Sequence, residues 1–250
     1  MVNEISLFVI TLLTSTLAGI CAMGGGMILV LILPFFVPAA AIIPLHGLAQ
    51  LASNSSRLVM CFTAIHWPFV SQFILGAFIG TALFSTFLLN ISSQYLPLFI
   101  SSYLLISLWV KAIDRWLSKL KSFYVVGVQQ AGFGLLVGAP EPITVTLLYK
   151  KLTDKDEIIA TASLLMAITN LNKVLVFTLI GFQFSPYWPL ILACICGATL
   201  GSILGSKLRN KISNQHFMPL LKIILTVLAL TTAIRSAANL IKPSTLRKNE

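Results

Sequence analysis

Acidic side chains are what this sequence has least of: Asp and Glu together number 7 in 250 residues, against 17 Lys and Arg. Charged residues of both signs reach only 10%, too few to cover a soluble domain of this length. So few carboxylates, with only three His, leave little from which to build a cation site or an acid–base pair. No serine–histidine pair or acidic motif stands at helical spacing, so an intramembrane enzyme is not expected. A nucleotide-binding loop is absent too, and direct ATP coupling would need another chain. The four cysteines, Cys21, Cys61, Cys194 and Cys196, fall in apolar segments without the spacing of a zinc site or a disulfide framework. They read as small buried hydrophobes, and no metal or cofactor is expected. The first apolar stretch has no basic flank ahead of it, so a cleavable leader is not expected either.

What the chain does have is apolar length. Hydrophobic residues make up 57% and the mean hydropathy is +0.94, the composition of an all-α polytopic membrane protein. The net charge of +10 lies mostly between the apolar stretches, where Lys and Arg set orientation against the translocon and anionic lipid. The expected partner is therefore the bilayer, and nucleic acid is not one.

The chain is organised around Gly24-Gly25-Gly26, set between apolar stretches at 5–20 and 27–37. Each glycine costs roughly 1 kcal/mol in a helix interior relative to alanine, so the triplet predicts a break between two half-helices. At bilayer depth the freed backbone must find protein, substrate or water. The start of a half-helix presents free N–H groups and a positive dipole end, which suit an anion. Further spans are expected at 43–65, 69–89 and 95–110, then a basic loop at 111–121. A second interrupted hairpin is expected at 123–148, broken at Gly138-Ala139-Pro140-Glu141-Pro142 because prolines two apart do not sit in a continuous helix. Spans at 158–180, 188–204 and 217–241 complete the chain.

The halves read as copies, 1–121 and 122–250. Ser53-Asn54-Ser55-Ser56-Arg57 aligns with Thr169-Asn170-Leu171-Asn172-Lys173, and Gly76 and Gly80 align with Gly197 and Gly201. Ile91-Ser92-Ser93-Gln94 aligns with Ile212-Ser213-Asn214-Gln215, and Pro97 with Pro219. Internal duplication is a feature of transporter folds. If both hairpins re-enter, each half has three crossings besides its hairpin and the repeats are inverted. Ten basic residues, in the loops 111–121, 150–155 and 207–211, then share one face, leaving Arg235, Lys242, Arg247 and Lys248 toward the other. The positive-inside rule favours that arrangement over two spanning hairpins.

His46, Gln50, Ser53 and Arg57 recur at helical spacing with Asn54 beside them, a polar stripe turned from lipid. On the expected boundaries Arg57 lies near the middle of its span. An intramembrane cation costs at least roughly 2.5–3.5 kcal/mol and is a functional candidate, as is its counterpart Lys173 with Thr169 and Asn170. Glu141 alone of the acidic residues falls in a membrane segment. Two buried cations against one carboxylate leave room for a mobile anion: a guanidinium grips two oxygens and an ammonium acts as a point charge. Glu141 is the candidate for coupling to protons or for gating, the alternative being a structural partner of Arg57 or Lys173. His46 is expected near a helix end rather than in a chemical role.

The glycine triplet, the polar segment ending in Arg57, the basic central loop and the duplicated half together resemble the sulfite exporter TauE/SafE family, also called the toluene sulfonate uptake permease family, over about residues 5–240. That resemblance implies a multi-pass transporter of the bacterial inner membrane that moves sulfite, thiosulfate, sulfoacetate or other organosulfonates. The site expected from the residues themselves is Gly24, Gly25, Gly26, Ser53, Asn54, Arg57, Thr169, Asn170 and Lys173, and the resemblance is carried most closely by the glycine triplet. The family pattern would place a second glycine-rich break where this chain has Ala139-Pro140-Glu141-Pro142, which suits coupling or gating better than a substrate cradle. A passive anion channel and a carrier of non-sulfur organic anions are the alternatives. The glycine pairs at Gly76/Gly80 and Gly197/Gly201 leave open packing within one subunit or in a homodimer.

Overall fold

Prolines and glycines set the helix ends. Pro68, Pro97, Pro142 and Pro189 each sit in the first turn of a helix, where the missing N–H costs nothing and the fixed φ is already helical. The computed structural model describes residues 2–21, 23–110, 119, 121–209 and 214–241, with the backbone alone for 214–218. These residues form ten α-helices and no strand. In order they are α1 (Val2–Cys21), α2 (Gly25–Ile32), α3 (Ala39–Met60), α4 (Trp67–Asn90) and α5 (Leu96–Trp109), then α6 (Phe123–Val137), α7 (Glu141–Lys151), α8 (Lys155–Leu179), α9 (Trp188–Leu208) and α10 (Asn214–Ile241). Of the expected basic positions, most of the loop at 111–121, together with Lys211, Lys242, Arg247 and Lys248, lies outside the described residues, as do Ile212 and Ser213 of the repeat alignment.

Both expected interruptions are present. Gly24, with φ +98°, caps the start of α2, and Gly138, with φ +80°, ends α6. A residue with a Cβ is strained at such angles. One glycine in each half therefore turns the chain, and the prolines at 140 and 142 only start the next helix.

One boundary differs from the sequence reading. A span was expected at 43–65, whereas α3 closes at Met60 and the chain passes through a short 3-10 turn, Phe62–Ala64, before His66-Trp67-Pro68. The helix stops where Cys61 leaves helical geometry, at φ −133° and ψ 24°, and the chain becomes extended at Ile65, at φ −75° and ψ 129°. Arg57 consequently lies in the last turn of α3 rather than near its middle. Among the described residues, five stretches are long and apolar enough to cross a membrane: Val2–Cys21, Trp67–Asn90, Lys155–Leu179, Ser185–Leu208 and Pro219–Ile241. The 22 residues of α3 are too polar to join them, because its buried face carries His46, Gln50, Ser53, Asn54 and Arg57.

The packing explains how so polar a helix is accommodated. α3 lies against α8, and the two cross at Gly47, where an added Cβ would meet Val174 and Lys173 at 3.4 and 3.5 Å. Around this central pair, α1 packs along α9, α4 along α6, and α5 along α10. The outer helices turn their large apolar side chains outward, among them Ile74, Leu75, Phe78 and Phe87 of α4 and Ile223, Val227 and Ile234 of α10, as lipid contact requires.

Glycine stripes set the close approaches. A Cβ at Gly76 or Gly80 of α4 would overlap the carbonyl oxygens of Tyr124 or Val128 in α6, and one at Gly201 or Gly205 of α9 would overlap those of Leu12 or Thr16 in α1. The glycine pairs are thus used within the chain, between its two halves, which is the small-residue packing of membrane helices. None of the four cysteines forms a disulfide. Cys21 and Cys194 are buried as expected, but Cys61 is half-buried and Cys196 is exposed on α9.

Candidate functional site

The two interruptions, together with α3 and α8, bring the polar residues of both halves together. Arg57 is 3% exposed and Lys173 2%. The Nη1 of Arg57 donates to the carbonyl of Ala18 in the last turn of α1 at 2.7 Å, and its Nη2 donates to Asn54 Oδ1. Lys173 Nζ donates to the carbonyl of Gly138 at the end of α6 and to Asn170 Oδ1, the latter at 2.6 Å. Each cation therefore does the same thing in its own half: it closes the C-terminal end of the helix before the break and leans on an asparagine three residues earlier. That end carries the negative pole of the helix dipole, and a cation there is stabilising.

The asparagines are fixed in turn. Asn54 Nδ2 donates to Gln50 O at 2.7 Å and Asn170 Nδ2 donates to Met166 O at 2.8 Å. Both amide oxygens then face the cation, an assignment the network itself dictates. Donors remain to spare. Arg57 Nε is buried without a partner, and an ammonium has three hydrogens, of which Lys173 has committed two.

Glu141, 6% exposed, starts α7. Its Oε2 accepts from the backbone N–H of Gly24 at 3.4 Å, 117 residues away in sequence. Its Oε1 lies against Gly26, where an added Cβ would overlap it and come within 3.2 Å of Gln50 Cδ. Gly25 has no room either: a Cβ would overlap Thr14 O and approach Ala18 Cβ to 2.8 Å. The triplet is thus a turn at Gly24 followed by two close approaches, and one carboxylate is shared by the N-terminal ends of α2 and α7. Arg57 and Lys173 are both within coulombic range of it, although no carboxylate among the described residues comes within 4.0 Å of either.

Of the nine residues expected to bind substrate, Gly24, Gly25, Gly26, Asn54, Arg57, Asn170 and Lys173 lie at the two breaks. Ser53 and Thr169 are engaged elsewhere. Ser53 Oγ pairs with Ser202 Oγ of α9 at 2.7 Å, and Thr169 Oγ1 donates to Leu165 O of its own helix at 3.0 Å. Two residues belong here that the sequence reading placed in the polar stripe without a role. His46, expected near a helix end, is 1% exposed beside the first break, where its Nε2 meets Gly26 O at 3.0 Å. Gln50, one turn further along α3, is equally buried. Their four-residue spacing from each other and from Asn54 was the available signal; what hid their role is that Gly26 and Glu141 approach only through the fold.

Among the described residues, five helices long and apolar enough to cross a membrane, together with a buried centre that holds Arg57, Lys173 and Glu141, define a multi-pass helical membrane protein. The family model for the sulfite exporter TauE/SafE matches residues 7–233, and the chain belongs to that family, whose members are membrane transporters of sulfite and related anions. Neither the curated proteins nor the solved structures provide a match.

Proposed function

We propose that the protein is a secondary transporter that carries small sulfur-containing anions, such as sulfite, thiosulfate, sulfoacetate or other organosulfonates, across the bacterial cell membrane by alternating access. One observation carries this reading: Arg57 and Lys173 are both buried, and among the described residues Glu141 is the one buried carboxylate that balances them. At each break the cation faces the C-terminal pole of one half-helix while Glu141 faces the N-terminal poles of the next, so the dipoles largely offset one another. With Glu141 ionised one positive charge is left over, and with it protonated two are. A buried excess charge is costly unless a counter-ion arrives. The cargo is that counter-ion.

The moving parts are residues 1–121 and 122–250, taken as inverted repeats. Support comes from matched devices: the turning glycines 24 and 138, the pairs Asn54/Arg57 and Asn170/Lys173, and the glycine stripes of α4 on α6 and of α9 on α1. Each stripe joins one half to the other, so rocking one repeat against the other would work on the two breaks at once. Glu141 is the group through which transport would couple to protons, a reading supported by its contact with Gly24, because protonation would change the charge an anion meets and the acceptor offered there.

Counterflow in proteoliposomes tests the proposal. Labelled external sulfite should accumulate transiently against unlabelled internal sulfite, and sulfite should enter faster when the lumen is alkaline. A passive channel would show no such overshoot. Loss of the pH effect alone would remove the coupling role of Glu141.

A further inference from the structure

Beside the first break lie polar atoms that nothing in the fold satisfies. Gln50 Nε2, Gln50 Oε1 and His46 Nδ1 are all buried without a partner, on residues each 1% exposed. A buried polar group left unpaired is costly, and three within one helical turn beside a helix N-terminus call for a ligand. Their chemistry is specific. His46 Nε2 faces the carbonyl of Gly26, so that nitrogen carries the hydrogen and the neutral ring offers Nδ1 as an acceptor. Gln50 offers one acceptor and one amide donor. Glu141, whose Oε1 shares the surface of Gly26 with Gln50, adds further acceptor capacity. Another buried amide, Gln130 of α6, is by contrast engaged within the fold: its Oε1 accepts from Thr144 at 3.1 Å.

We propose that Gln50 and His46 make this site selective for oxyanions that still carry a hydrogen-bond donor, an O–H or N–H beside the charged oxygens. The inference rests on the anion-binding reading above and narrows its substrate class. A cargo offering only acceptors would satisfy Gln50 Nε2, Arg57 and Lys173 but would leave His46 Nδ1 and Gln50 Oε1 unpaired, and it would present lone pairs to Glu141. Hydrogensulfite and hydroxyalkanesulfonates supply a hydrogen to one of these acceptors, and ammonium-bearing alkanesulfonates supply enough for both. Thiosulfate and sulfoacetate, without such a donor, rank below them. A site built to hydrogen-bond a hydroxyl rejects the analogue that lacks it far more strongly than an apolar pocket resolves one methyl group.

Two sulfonates of nearly equal size test this at a single pH: 2-hydroxyethanesulfonate and 1-propanesulfonate, which exchange a hydroxyl for a methyl. Binding of each to purified protein is measured by calorimetry for wild type and Gln50→Leu. Wild type should bind the hydroxy compound at least about tenfold more tightly. In Gln50→Leu that ratio should fall toward one while 1-propanesulfonate still binds, which also shows that the variant is folded. Equal affinities in wild type would overturn the inference and leave anion binding intact, the orphaned atoms then being satisfied by internal water alone. A preference that survives Gln50→Leu would remove Gln50 from the role. No binding of either sulfonate, nor of sulfite, would overturn the anion site itself and this inference with it.

Discussion

At the scale of single residues, the asparagines carry more than their place in a polar stripe suggests. Asn54 and Asn170 each accept from a buried cation and tie their own amide group to the carbonyl of the residue four earlier. Replacing either by leucine removes an acceptor from a charge that stays buried. Asn54→Leu and Asn170→Leu should each lower stability by about 1–3 kcal/mol, seen as a drop in melting temperature in detergent, whereas Asn54→Asp should keep most of it. The sequence made the cations and asparagines legible because an ionisable residue in an apolar segment stands out against its neighbours. It did not make the contact of Glu141 with Gly24 legible, since 117 residues separate the pair and no local period links them. Nor did it separate Ser53 from Asn54: both lie on the inner side of α3, and only the position of Ser202 on α9 decides that Ser53 is used for packing.

At the scale of elements, hydropathy and glycine or proline positions revealed nearly all the helices, because lipid forces each span to bond its own backbone and to present apolar side chains outward. α3 was the exception, since its apolar character runs on to Ile65 while the helix stops at Met60, where Cys61 leaves helical geometry. The breaks themselves give a direct test. Gly138 and Gly181 both have positive φ, but a Cβ at Gly138 would come within 2.7 Å of Val30 Cγ2, while nothing lies within 4 Å at Gly181. Alanine at either should cost about 1–3 kcal/mol in backbone strain, and Gly138→Ala should cost more because Val30 must also give way. Comparable melting curves for the two would show that the turn is not held by its neighbours. On α9, Gly201→Leu should part α1 from α9 and destabilise the protein strongly, whereas leucine in place of the lipid-facing Cys196 should be nearly neutral.

At the scale of the whole molecule, the arrangement places opposite polarity at the joints: cations at the ends of α1 and α6, and one carboxylate between the starts of α2 and α7. The inverted arrangement proposed for residues 1–121 and 122–250 carries a definite orientation with it. Cysteine at exposed Lys151, in a background without other cysteines, should react with an impermeant thiol reagent in inside-out vesicles and stay protected in intact cells. The opposite pattern would reverse the topology. Equilibrium binding of labelled sulfite to purified wild type, Arg57→Gln and Lys173→Met, each checked for a cooperative melting transition, decides whether the excess buried charge of Arg57 and Lys173 holds the cargo. Both folded variants should lose affinity by at least about tenfold, the value of one charge-assisted hydrogen bond; wild-type affinity in both would contradict that role.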